Sequence, residues 1–464
     1  MAKQRQRNTR LEAVIGETGL SYTQVANAVV RVARESGIRG LERVSQPHVS
    51  HWVAGIAPSG HTPRVLCEVL TRRLGRTVAP EDIGLAPLSV RSVDVLDWFT
   101  DTLTGLAAVG RADLDAQRRQ AVSAGLYTVA ASAVPTGVWW RWMAEQGSTR
   151  EAREGRRIGR RELASVQEMV SFFARSDEQH GGGHARSAVA AYLTTDLTRY
   201  LSGSFSDDSV RRDMFTSASK LTYLAGWMAF DNGEHSIAQQ YYFSALKLAA
   251  EADNPTMTGH VLRGMAFQAV DLGHGKQARD LASAAVEGKR YALACPQEKA
   301  LLSAQYARSL AAAGQKRAAA KELVRAQEDL AGAESGETAP GQLFSFGETS
   351  LAYQAACTLR DSGDLAGALR EFRHSARTRN AKAFPRIHAV TLGQLGSLQV
   401  RQGNVEEACS TWSQALDTMD GIRSARTRQT AQDMRAALAS FRSRGVRTAI
   451  ALDNRAAAYL AASA

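Results

Sequence analysis

Residues 45–55 read SQPHVSHWVAG. If Ser45 caps a helix, Val49, Trp52 and Val53 share one face of it, and Gln46, Pro47, Ser50, His51 and Ala54 are left on the other. The polar side chains of that second face have a definite chemistry. A Gln46 carboxamide offers a donor and an acceptor side by side, the pattern complementary to adenine, and such a two-bond contact discriminates by about 1–3 kcal/mol. Ser50 and His51 can bond base edges or phosphate oxygens. His48 and His51 also have a plainer reading, as solvated surface histidines. Arg43 and Arg64, with Arg5, Arg7 and Arg10 of the N-terminal run, supply cations that would hold a phosphate backbone and set register without reading sequence.

A compact helical module over residues 9–85 would position this segment. Leu11, Val14 and Ile15 fall on one face of a first helix. Ser21 and Gln24 have capping-box spacing, and Val25, Ala26, Val29, Val30 and Ala33 continue an apolar stripe behind them. Gly37 and Gly40 break that helix. Pro47 is tolerated in the first turn of the next, which Gly55 and Pro58 end. Val65, Leu66, Val69 and Leu70 mark one more, running to about Leu74.

The order Ser45, Val49-Ser50, Trp52, Gly55 resembles the recognition-helix region of bacterial repressor-type (XRE-like) helix-turn-helix domains, over about residues 9–85. The resemblance implies that Gln46, Pro47, His48, Ser50 and His51 approach base edges in the major groove of double-stranded DNA, with Arg43 and Arg64 on phosphates. The sequence departs from the pattern in the turn, where eight residues (37–44) stand in place of about 3–4. GRTVAPEDIGL at 75–85 is similar to the tail of this module in actinobacterial regulators.

From about residue 160 the chain reads as helix to its end, and it repeats. Gly233, Gly273, Gly314, Gly363 and Gly403 are each followed five residues later by Ala: Ala238, Ala278, Ala319, Ala368 and Ala408. Seven residues before each glycine lies Gly or Ala, and nine after it Tyr242, Ala282, Leu323, Phe372 or Trp412. Small residues let paired helices approach, and each glycine ends a helix and turns the chain. The later large residue is expected to plug the gap to the next repeat. The pattern resembles tetratricopeptide repeats, whose period is roughly 34 residues. Here the glycines are 40, 41, 49 and 40 apart. The expected fold is all-α: a helix-turn-helix domain (1–85), a connector (86–160), and an α-solenoid of tetratricopeptide-like repeats with C-terminal capping helices (161–464). Inner helices of such arrays line a concave groove. Counting from the glycines, that face carries Tyr223, Trp227, Arg263, Phe267, Arg308, Tyr353 and Arg360, a set suited to a peptide or a small anionic effector. In the connector, Trp139, Trp140 and Trp142 are expected to lie between domains or on a partner surface. Arg150, Arg153, Arg156, Arg157, Arg160 and Arg161 are expected on a solvated face.

The other constellations carry less. His180 and His184 enclose three glycines, which favours a loop over a metal site. Gly273-His274-Gly275-Lys276 fails as a phosphate loop, because Val270 and Gln277 stand where that motif needs Gly and Ser/Thr. No nucleophile elbow, zinc motif or carboxylate pair is found, so no enzyme, metal or cofactor is expected. Of 464 residues 44% are hydrophobic and 10 are Pro, a mixture that favours helix. The formal charge is +11, and residues 1–80 hold 12 Lys/Arg against 5 Asp/Glu, which suits a polyanionic partner. Four scattered Cys fit a reducing compartment. With no apolar run long enough to span a bilayer, a cytoplasmic protein without membrane contact is expected.

A DNA-binding module joined to such an array resembles the peptide-sensing (RRNPP-type) regulators of Gram-positive bacteria, and more closely the actinobacterial regulators of development and secondary metabolism. The resemblance implies a homodimeric, sequence-specific transcriptional regulator whose repeats bind a peptide or small-molecule effector. Those sensors grip peptide backbone with Asn, which none of the seven groove positions carries. The alternative is an interaction scaffold without sequence-specific DNA binding.

Overall fold

The computed structural model describes residues 7–36, 38, 40–76, 78–85, 97–115, 127–129, 134–135, 137–150, 157–333 and 343–463. Arg5, Gly37, Arg153 and Arg156 lie outside the described residues.

The N-terminal unit consists of α1 (Thr9–Thr18), α2 (Tyr22–Glu35), α3 (Gln46–Val53) and α4 (Thr62–Leu74), with a 3-10 turn at Pro80–Ile83. Ser21 and Gln24 form the capping box reciprocally: the Gln24 N–H donates to Ser21 Oγ (3.3 Å) and the Ser21 N–H to Gln24 Oε1 (2.8 Å). Leu11, Val25, Val29, Val49, Val65, Leu66 and Leu70 meet in a core with essentially no exposure. Asn8 ties both ends of the unit together. Its N–H donates to Val53 O (2.8 Å) and its side-chain amide to Ile83 O (2.9 Å).

Two helices follow, α5 (Thr102–Leu114) and α6 (Gly137–Thr149), then α7 (Arg160–His180), α8 (Gly182–Tyr192) and a π turn running into the short α9 (Thr198–Leu201). Two-residue strands at Arg157–Ile158 and Ser204–Phe205 pair in parallel. The solenoid then stacks helix pairs: α10 (Asp208–Asp231) with α11 (His235–Glu251), α12 (Pro255–Asp271) with α13 (Gly275–Ala285), and, after the single turn α14 (Lys289–Ala292), α15 (Pro296–Ala312) with α16 (Lys316–Ala331). The next pairs are α17 (Glu348–Ser362) with α18 (Leu365–Thr378) and α19 (Pro385–Arg401) with α20 (Val405–Thr418). The last pair is α21 (Ala425–Ser443) with α22 (Arg447–Ala462).

The five aligned glycines all end the first helix of a pair with φ between 79° and 95°, a left-handed conformation that other residues adopt at a cost. The alanine five residues on is fully buried in every repeat. The residue nine on is placed differently from the expectation. Tyr242 packs on Gly226 and Trp412 on Gly396, each within its own pair, and a Cβ on Gly396 would overlap the indole. The small residue and the aromatic are thus one knob and one hole, and the Trp412 indole N–H donates to Gly393 O (3.0 Å).

The tryptophan cluster lies against α11. Trp98 stacks on Phe243 (4.4 Å) and meets Trp139 edge-on (5.0 Å). Trp139 is buried, Trp140 half-buried and Trp142 exposed. Arg150 is held by Glu251 (2.8 Å) and Asp101 (2.9 Å), so it is no solvated residue.

The array curls until it touches itself. The Arg386 guanidinium, at the start of α19, grips Asp177 of α7 through two bonds (3.0 and 2.7 Å) and reaches Asp231 (3.2 Å). The Arg423 N–H donates to His180 O (2.8 Å), and the Gly183 N–H to Arg423 O (3.0 Å). The His-Gly-Gly-Gly-His stretch is therefore no loose loop. Gly181 turns between α7 and α8, and Gly182 and Gly183 lie in the first turn of α8, where a Cβ on Gly182 would strike Met228 O.

Candidate nucleic-acid interface and ligand cavity

Helix α3 buries Val49, Trp52 and Val53 and leaves Gln46, Pro47, His48 and His51 exposed, with Ser50 half-buried. Ser45 precedes it in extended conformation (φ −141°, ψ 172°). Its hydroxyl lies 3.0 Å from His48 Nδ1, and its N–H donates to that nitrogen (3.3 Å). His48 thus does what Glu or Gln does in a capping box, and its Nδ1 is committed to the helix start. Among the described residues Gln46 and His51 have no such bond. Gly55 (φ 98°) closes the helix, and the Ile56 N–H donates to His51 O (2.9 Å). Arg43 and Arg64 are exposed near its two ends in sequence. Arg7 and Arg10 are exposed as well. Arg7 pairs with Glu12, and Arg10 donates to Glu81 O (3.2 Å).

This unit is docked on the repeats through residues 127–129. The Tyr127 hydroxyl bonds Gln277 Oε1 (3.1 Å). The Thr128 N–H donates to Gln239 Oε1 (2.9 Å), and the Gln239 amide returns a bond to Thr128 O (2.7 Å). From the N-terminal unit, Glu68 accepts from the Val129 N–H (3.0 Å), and Arg72 donates to Tyr127 O (3.1 Å) while pairing with Glu35 (2.5 Å) and Glu68 (2.7 Å). His274, from the turn before α13, stacks flat on Tyr127 (5.5 Å, 3°), and its Nε2 lies 3.6 Å from Glu35. Burial alone would raise the Glu35 pKa. The nearby His274 imidazole and the Arg72 charge outweigh it and hold the carboxylate below its ordinary range.

The seven groove residues expected from the repeat register line two adjoining cavities. Tyr223, Trp227, Arg263, Phe267 and Tyr353 line one of about 480 Å³. Arg308, Arg360 and again Tyr353 line a second of about 470 Å³. The first is also lined by side chains that register counting missed: Phe344 and Phe346 from the stretch before α17, Arg379 and Asn380 after α18, Arg386, and Arg426 of α21. The 49-residue glycine spacing was the signal for the first two, since its extra residues are the stretch that walls the cavity. Of the other four, Arg379 and Asn380 follow α18, Arg426 lies on α21 beyond the aligned repeats, and Arg386 stands at the start of α19, where it makes the contact by which the array closes.

Charges in the two cavities are balanced differently. In the second, Arg308 pairs with Asp271 (2.7 Å) and Arg360 with Asp361 (2.8 Å). In the first, Arg386 is held by Asp177 and Asp231. Arg426 lies over the rings of Phe267 (5.4 Å) and Phe230 (5.9 Å). Arg263 is 7% exposed, bonds the Tyr223 hydroxyl and leaves its Nε without a partner. Arg379 donates only to Thr349 O (3.2 Å) and Ser375 Oγ (3.3 Å), and burial lowers its pKa to about 10.

Among the described residues no His, Cys, Asp and Glu cluster could hold a metal ion, and no helix is long and apolar enough to cross a membrane. All four Cys are free, Cys295 exposed and the others buried.

Residues 11–86 match a family model described as SP15 N-terminal domain. No curated protein matches the chain. Among solved structures, the chain is similar to a Signal Transduction ATPase with Numerous Domains (STAND) protein with a tetratricopeptide repeat sensor from Pyrococcus horikoshii. The identity is 12% and the TM-score 0.38, over 86% of this chain and 66% of that one. This finding corrects one expectation. The absence of familiar catalytic motifs was taken to exclude an enzyme, and a chain described as an ATPase among the matches removes that exclusion. A likeness this distant carries no activity across either.

Proposed function

We propose that the protein is a sequence-specific DNA-binding transcriptional regulator of the cytoplasm, acting as a homodimer whose repeats sense a ligand. One observation carries this reading: α3 buries its apolar face and holds Gln46 and His51 out to solvent. Gln46 and His51 would read base edges, with Ser50 beside them, and Arg43 and Arg64 would hold phosphates. His48 would set the start of the helix. The surplus of positive charge in residues 1–80 supports the same partner.

The test is a genomic-fragment pull-down with purified protein, beside a Gln46→Ala/His51→Ala variant. A shared, two-fold symmetric motif enriched by the wild type and lost in the variant is the expected result. If no motif is enriched, even with cell extract added to supply an effector, the DNA reading fails.

A further inference from the structure

Four arginines line the first cavity: Arg263, Arg379, Arg386 and Arg426. Two buried carboxylates, Asp177 and Asp231, face Arg386. Two more, Glu178 and Glu348, line the wall, and Glu348 is exposed with His374 3.5 Å away. Among the described residues neither Arg263, buried, nor Arg379, half-buried, is paired with a carboxylate. They come from different helix pairs, more than a hundred residues apart in sequence, yet line one cavity. A buried guanidinium without a partner is costly, and proteins keep one where something else supplies the counter-charge. The Nε of Arg263, more than nine-tenths buried, has no partner. The wall beside these two cations is aromatic: Tyr223, Phe344 and Phe267. Phe344 is itself fixed by flat stacking on His260 (3.8 Å).

We propose that this cavity binds a small organic anion with a planar apolar body, its carboxylate or phosphate held by Arg263 and Arg379 and its ring system lying among Tyr223, Phe267 and Phe344. The inference deepens the sensing role proposed above and rests on it for its biological meaning. The volume, about 480 Å³, suits a molecule of a few fused rings and is small for a folded peptide. Two guanidinium groups can receive an oxyanion through paired hydrogen bonds, which favours carboxylate and phosphate over a neutral acceptor. The second cavity, whose arginines are already paired, has no comparable demand.

The probe is 8-anilino-1-naphthalenesulfonate, a fluorescent planar anion, compared with its uncharged relative N-phenyl-1-naphthylamine on the full chain. One saturable site per chain is expected, with the neutral dye weaker by about tenfold or more, as loss of charge-assisted hydrogen bonds implies. Arg263→Gln/Arg379→Gln should weaken the anionic dye by a similar factor and leave the thermal midpoint unchanged or higher, because it removes unpaired buried charge. Should that variant misfold, Arg379→Lys alone serves, retaining charge but losing the planar fork, and should weaken the dye measurably. Benzoate and phenyl phosphate should displace the dye at an ionic strength where sodium chloride does not, and the stronger of the two identifies the head group. Equal binding of both dyes, unchanged binding in the folded variants, or displacement by neither acid would overturn the assignment. The pull-down is read separately. Dye binding without an enriched motif would strike only the regulator, and an enriched motif without dye binding only the cavity assignment.

Discussion

Arg386 shows how much can depend on one side chain. It is 7% exposed and faces two carboxylates, Asp177 and Asp231, that are buried with it. Arg386→Met would leave both acids without their cation, and unfolding in urea should show a loss of about 3–5 kcal/mol. Titration acts in the same direction at two histidines, His260 buried and His235 half-buried. Burial holds His235 and His260 below the ordinary histidine range. The unfolded chain takes up a proton at each near pH 6.5, while the folded chain does so only at lower pH. The stability linked to these residues is therefore full above that pH and is lost as pH falls through the folded values. Thermal melts between pH 7.5 and 5.5 should fall on the acid side, and His235→Gln should flatten the profile. Thiol chemistry separates the cysteines. Burial pushes Cys67 up to about 12, and Cys357 and Cys409 are covered. Alkylation of the native protein at pH 8 should therefore mark Cys295 alone.

Helix pairs obey the small-residue logic at unequal cost. Gly273 has open space around it and a φ of 79°, so Gly273→Ala should cost only the left-handed strain, about 1 kcal/mol. Gly396 is the hole for Trp412, with no room for a methyl group. Gly396→Ala should cost more, about 1–3 kcal/mol from overpacking, and chemical denaturation of the two variants will rank them. The helices themselves were legible in sequence because glycine, alanine and capping residues act locally: the Ser21–Gln24 box, the start of α3 at Ser45 and the five turn glycines all stand where spacing put them. What sits across a pair was not legible. Trp412 was assigned to the next repeat, since spacing gives a residue's face but not which neighbour fills it. The cavity was half-legible for the same reason. Tyr223, Arg263 and Phe267 follow the register, whereas Arg386 arrives through closure of the array, a contact between residues as far apart as 177 and 386, and Arg379 and Arg426 lie beyond the aligned positions.

At the scale of the whole molecule, the N-terminal unit and the repeats meet through a few side chains on a short strap. Gln239 exchanges two bonds there with Thr128. Gln239→Ala should speed hydrogen exchange of the Thr128 amide while exchange within α1–α4 stays as it was, and exchange unchanged at Thr128 would mean the strap is held by other contacts. The pair α12 and α13 belongs to both ends of the molecule. Arg263 and Phe267 on α12 face the cavity, and His274 and Gln277, a few residues on, hold Tyr127 of the strap. A tilt of that one pair would move both sites, so any coupling between them must obey thermodynamic reciprocity. Whatever factor a filled cavity imposes on operator affinity, operator must impose the same factor on the occupant of the cavity. DNA would then be as much an effector of the sensor as the small molecule is of the DNA-binding unit.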